Sequence, residues 1–244
     1  MTVAAAAVVL AAVLVTATLS GVLGMAGGLL LMGALLLVLP TATAFVVHGL
    51  LQLVANGWRA VLHRAHVRWR TVGAYAAGSV VALALLAAVS YAPDKQVTYL
   101  LLGLVPALVW LPKGWLPLDA ERPGHAVLAG LLTTGVNLVA GVSGPLLDVF
   151  FTRTGMPRHA IVATKAATQV LAHAAKVVLY GGAAVSGAGV PWTVVLLGVP
   201  LSMLGTSLGG RLLARMSDAG FLRATRWVVT AIGVSYLVQA ARLA

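Results

Sequence analysis

The chain has 244 residues, 61% of them hydrophobic and 9% charged, with a formal net charge of +11 and no cysteine. An ordinary globular domain carries about a quarter charged residues, so this composition and a mean hydropathy of +1.02 read as an integral membrane protein. The missing cysteine excludes disulfide scaffolds and thiolate chemistry. Most of the cations sit in short loops between apolar runs, which argues for a bilayer and against nucleic acid as the partner.

The runs are rich in Ala, Val, Leu and Gly, residues that let helices pack closely in lipid, whereas a barrel alternates in short segments. The expected fold class is therefore an all-α polytopic membrane protein. Residues 2–39 are two apolar pieces separated by SGVLGMAGG at 20–28. They lack the positive flank of a signal peptide, since no Lys or Arg precedes Arg59, and are read as the first membrane segment. Runs of spanning length follow at 42–62, 71–91 and 97–112. After a linker at 113–124, residues 125–152 repeat the interrupted pattern around GVSGP at 141–145. Further spanning runs lie at 159–181, 191–212 and 225–241.

Shifting the sequence by 117 residues superposes the two interruptions. Gly24 falls on Gly141, Gly27 on Gly144, Leu29 and Leu30 on Leu146 and Leu147, Pro40 on Pro157, and Gln52 on Gln169. Asn56 meets His173 and Arg59 meets Lys176. Such a register points to duplication, with residues 1–112 as the first transmembrane repeat, 113–124 as a cytoplasmic linker and 125–244 as the second repeat. The loop after 42–62 carries Arg59, Arg64, Arg68 and Arg70, while its counterpart after 159–181 is uncharged. Conversely PTATA at 40–44 is neutral, whereas its counterpart carries Arg153 and Arg158. Opposite charge phase predicts halves inverted in the membrane. Each half then comprises a broken, re-entrant hairpin turning near the membrane middle plus three spans, and both termini are extracytoplasmic.

Irregular backbone at membrane depth survives only where protein buries it or a cavity borders it, so the two Gly-rich turns should face each other inside the bundle. The second arms, expected to start at Gly28 and Pro145, aim positive helix ends at that interior. Lys165, Gln169, His173 and Lys176 are spaced four, four and three and form one helical stripe. His48, Gln52, Asn56 and Arg59 repeat it in the first half. Against these cations the apolar runs offer one carboxylate, Asp148, either a structural partner or a proton carrier. A cationic interior with so little fixed negative charge implies an anionic ligand. Candidate substrate-binding residues are thus both stripes together with Gly24, Gly27, Gly28, Gly141, Ser143 and Gly144, with Asp148 as the coupling residue. Blander roles compete: Lys165, Lys176 and Arg59 can snorkel to an interface, the amides and His173 can be interhelical glue, and the glycines can simply permit close packing. Tyr180, Trp58 and Trp192 lie near span ends, as aromatic-belt residues do.

The paired turns GMAGGLL and GVSGPLL, each followed by a proline and a polar-striped helix in a chain of about 250 residues, resemble the sulfite exporter TauE/SafE family of membrane permeases. The resemblance implies a transporter of sulfite, organosulfonates or other small anions across the cytoplasmic membrane. It implicates Gly24, Gly27 and Gly28 in one turn and Gly141, Gly144 and Pro145 in the other. The chain departs from the pattern in Asp148, which stands where the first half has Leu31, and in its two-lysine helix. The expected function is therefore a secondary anion transporter, without cofactor, working by alternating access around a midplane site. A channel-like anion pathway is the alternative. An intramembrane enzyme built on His48, His173 and Asp148, with or without a metal, lacks any short ligand spacing. A homo-oligomer is compatible with the sequence.

Overall fold

A computed structural model describes residues 2–23, 26–112, 115–151, 153–186, 189–213 and 218–244. Those residues form ten α-helices and two 3-10 turns, with no strand among them. The first half contains α1 (Val3–Leu23), α2 (Ala26–Val38), α3 (Thr41–Leu62), α4 (Trp69–Ala88) and α5 (Lys95–Leu104). The second contains α6 (Pro123–Ala140), α7 (Gly144–Phe151), α8 (Arg158–Ser186), α9 (Trp192–Leu213) and α10 (Asp218–Arg242). Helices α1, α3, α4, α6 and α9 are long and apolar enough to cross a bilayer. Helix α8 is longer still, at 29 residues, and carries the polar stripe.

A hairpin turning near the membrane middle implied arms of half length, but the arms are unequal. At about 1.5 Å per residue the 21 residues of α1 extend roughly 31 Å, the thickness of a hydrocarbon core. Nothing in its uncharged, proline-free sequence stops it sooner. The 13 residues of α2 and 8 of α7 are the short arms, and they begin at Ala26 and Gly144, slightly earlier than expected. The span expected at 97–112 is also divided. Helix α5, whose first turn is capped by the Asp94 carboxylate accepting from the Val97 N–H at 2.9 Å, gives way to a 3-10 turn over Val105–Trp110. Pro106 has no N–H to continue the α-helical ladder.

Helix packing respects the 117-residue register. Helix α1 lies along α9 as α6 lies along α4, α3 meets α9 as α8 meets α4, and α3 pairs with α8 and α5 with α10. Exchanging the halves maps each of these contacts onto another or onto itself. Small residues make the approaches possible: a Cβ on Gly21 of α1 would stand 2.7 Å from Gly209 Cα of α9. In lipid such close packing, with hydrogen bonds, replaces the hydrophobic effect as the force between helices. Between α4 and α6 the Tyr75 and Thr133 hydroxyls share a 2.6 Å hydrogen bond.

The surface is apolar where an ordinary protein is polar, with Val8, Val15, Val80, Leu85, Leu196 and Leu204 exposed. The polar groups lie inside. Lys176 is fully buried, with its Nζ over the Phe45 ring, which rules out snorkelling for that residue. Tyr180 is likewise no belt residue: it is 3% exposed, packs edge-on against Phe45 with centroids 5.3 Å apart, and donates its hydroxyl to Leu138 O. Trp58 is partly buried and donates to Ser207 Oγ at 2.9 Å. Only Trp192, half exposed, sits as a belt residue does.

Candidate functional site

Both Gly-rich turns and both polar stripes converge on one internal cavity. Helix α2 brings Gly28, α3 brings His48 and Gln52, the second turn brings Val142, Ser143 and Gly144, and α8 brings Gln169, Ala172 and His173. Ser20, from the end of α1, completes the lining. The space amounts to ≈ 20 Å³, room for about one water molecule. Its wall is polar yet uncharged when the histidines are neutral. His173 is 6% exposed, its Nδ1 is buried without a hydrogen-bond partner, and its ring stands 5.5 Å from that of His48.

Lys176 does not line the cavity; it ties the two turns together. Its Nζ donates to Gly141 O at 2.7 Å and lies 2.8 Å from His48 Nδ1. His48 Nε2 is in turn 2.9 Å from Gly28 O. A carbonyl only accepts, so Nε2 carries the ring proton and Nδ1 receives a hydrogen from Lys176. The resulting chain runs from the carbonyl of one turn through imidazole and ammonium to the carbonyl of the other. Gly141 makes this geometry available: it caps α6 in the left-handed region at φ 82°, where a side chain is disfavoured and a Cβ would meet Met32 and Phe45. The Phe45 ring, 5.6 Å from Nζ, supplies a further cation–π contact.

The second lysine has a different partner. Lys165 forms an ion pair with Asp148 of α7, the two side chains retaining 22% and 27% exposure. Arg59, the repeat counterpart of Lys176, is 9% exposed, has Nη2 buried without a hydrogen-bond partner, and lies within electrostatic range of Lys165.

The remaining expected site residues fall outside the lining. Asn56 donates to Gln52 O at 3.0 Å and to Gln52 Oε1 at 3.1 Å, orienting a side chain that lines the cavity. Gly27 presses against the backbone carbonyl of Thr16 and the Ser20 hydroxyl, so its small size serves the packing of α1 on α2. Pro145 is buried in the first turn of α7, and Gly24 lies outside the described residues. Ser20 and Asn137 were missed from the sequence although they occupy the same repeat position, 117 residues apart. Asn137 donates to Ala172 O at 2.9 Å, holding α6 to the striped face of α8.

Outside the bundle's centre, the α3–α4 loop meets the start of α8 through three histidines. His66 stacks on His159 with centroids 5.5 Å apart, and His63 stands 6.0 Å from His159. Burial, and then the charges of His159, Arg59 and His66, lower the pKa of His63 below its ordinary 6.5. Among the described residues no group of three His or carboxylate side chains converges in a way that could hold a metal ion.

Fold and site define a multi-pass membrane protein with a polar, cation-flanked interior and an apolar outer surface. The chain belongs to the sulfite exporter TauE/SafE family, whose family model matches residues 9–236. That family consists of membrane transporters, and transport is accordingly this chain's role. No curated protein and no solved structure matches it.

Proposed function

We propose that the chain is a secondary transporter of a small anion, with sulfite and organosulfonates as its substrate class. The observation that carries this reading is the meeting of both turns and both stripes at one cavity with Lys176 on one flank and Lys165 with Arg59 on another. Three cations here face one carboxylate, Asp148, and an anion is what such an interior accepts. The short second arms, starting at Ala26 and Gly144, direct unsatisfied amide N–H groups and positive helix ends toward the same region. Gln52, Gln169, Ser143 and His173 offer neutral donors that suit an oxyanion without fixing its charge, while both ring nitrogens of His48 are already engaged by Gly28 O and Lys176.

Alternating access is the mechanism we infer. Exchange of the halves preserves the main helix pairings, and the alternating loop charges support halves inverted in the cytoplasmic membrane, with residues 1–112 and 125–244 moving about the 113–124 linker and both termini extracytoplasmic. A sulfite ion has four heavy atoms and needs more space than one water, so the turns or the glutamines must move to admit it. That requirement favours a carrier over a continuous anion channel. Nothing in the sequence resembles a nucleotide-binding loop, so ATP would have to come from a partner.

Uptake of sulfite, sulfoacetate and sulfate into proteoliposomes tests the reading. Saturable uptake with counterflow is expected, together with at least tenfold loss in Gln169→Ala. Transport of none of the three, with no anion stabilising the purified protein, would remove the central-anion reading.

A further inference from the structure

We propose that Lys165 and Arg59 form a second anion station beside the central cavity, occupied in this structure by the Asp148 carboxylate as a built-in anion, and that the transported anion takes its place when Asp148 is protonated. This rests on the transporter reading given above.

The ion pair is not demanded by the architecture. At the same repeat positions the first half has Leu31, 2% exposed, and His48, so that half is stable with neither the carboxylate nor the lysine there. Nor is the charge balanced. Lys165 and Arg59 together carry two positive charges against one carboxylate, and Arg59 Nη2 is buried without a partner. The cluster therefore keeps an unused donor and one net positive charge. It also keeps access: Lys165 and Asp148 are 22% and 27% exposed, whereas Lys176 is 0% exposed. The pair is thus partly open at its edges, while the Asp148 oxygen that meets Lys165 Nζ is itself buried, so exchange requires the carboxylate to swing away.

The surrounding charges restrict titration to a short list. Asp148 pairs with Lys165 of α8, and Arg59 of α3 lies within electrostatic range of both Lys165 and His63. Of the elements packed on α7, the 3-10 turn brings no charged side chain and α6 brings only His125, whose Nδ1 accepts from Asp119 N–H, while the segment whose Ala120 N–H donates to Phe150 O carries Asp119, Glu121 and Arg122. Arg153 and Arg158 have contacts of their own. In the exchange a proton from solution binds one Asp148 oxygen, the contact to Lys165 breaks, and the free anion pairs with Lys165 and Arg59. A singly charged anion conserves the charge at the site, and the dianion sulfoacetate, entering with one proton, removes the cluster's net positive charge. One proton thus accompanies one anion.

The test is sulfoacetate binding to the intact purified protein in lipid nanodiscs, by calorimetry between about pH 8 and pH 5.5, where this ligand stays fully ionised. Sulfite is avoided because it titrates itself. Wild type is expected to bind up to about tenfold more tightly per unit fall in pH, the slope of one linked proton, and to take up close to one proton per anion in weakly buffered solution. Asp148→Asn is expected to bind tightly with no pH slope and no proton uptake, and Asp148→Asn combined with Lys165→Met to lose that tight binding. Wild-type binding without proton uptake, or a wild-type pH slope in Asp148→Asn, overturns the exchange while leaving the transporter reading in place. If Asp148→Asn does not fold, the proton count on wild type decides alone. Failure of every form to bind at any pH overturns the transporter reading and this station with it.

Discussion

Two lysines eleven residues apart on one helix have opposite fates. Lys176 is wholly buried and held by neutral acceptors, Gly141 O and His48 Nδ1, whereas Lys165 is partly open and held by the Asp148 carboxylate. The first joins two elements that the chain separates by 113 residues, the carbonyls of Gly28 and Gly141. The second sits against a group that a solute can replace. Buried charge in a membrane interior is thus used in two ways, as a fastener where fixed acceptors on two elements hold it and as a receptor where its partner is exchangeable.

The sharpest way to break this contrast is Lys176→Met, which preserves bulk but leaves Gly141 O and His48 Nδ1 without their donor. A stability loss of about 3 kcal/mol is expected from two hydrogen bonds to a charged group, read as thermal unfolding in detergent. Lys165→Met is expected to cost at most about 1 kcal/mol, in line with a part-exposed ion pair, and the ranking of the two variants is the test. Equal losses would dissolve the distinction.

Gly141→Ala probes the fastener from its acceptor side. A residue at φ 82° whose Cβ meets Met32 and Phe45 should lose about 2 kcal/mol from backbone strain and crowding. The same unfolding assay reads it, and a loss additive with that of Lys176→Met would contradict their sharing one contact.

The smallest effect concerns the loop histidines, far from either lysine's function. His63 has its pKa lowered on folding, so the unfolded chain binds the proton more readily. Stability is unaffected well above 6.5 and falls as the pH drops through that value. His63→Gln should flatten this acid sensitivity between about pH 7 and 5, and a wild-type slope unchanged by the substitution would refute it.

The Gly-rich breaks and the polar stripes were legible in the sequence because a period of about 3.6 and a run of glycines are local signals, and parts of both, Gly28, His48, Gln52, Ser143, Gly144, Gln169 and His173, line one cavity. What escaped were facts of tertiary contact. Lys176 looked like a helix-end cation free to snorkel, because sequence position does not reveal that Gly141 O waits beside it. Tyr180 was taken for a belt residue for the same reason, its Leu138 acceptor lying 42 residues away. Ser20 and Asn137 could have been found, being equivalent under the 117-residue shift, but serine and asparagine are weak signals beside glycine and proline. The unequal arms of the hairpins were unreadable because apolar composition alone does not say where a helix stops.

The absence of cysteine makes one direct measurement clean. Ser143→Cys places a single thiol in the cavity wall, and Ser186→Cys places one at an exposed site on α8 as a control. Alkylation by a small neutral reagent is followed in reconstituted protein with and without sulfoacetate. The account predicts that the anion slows modification of Cys at 143 by about tenfold or more and leaves the control unchanged. Equal rates at position 143 with and without anion, in protein that still transports it, would contradict a substrate site between the two turns.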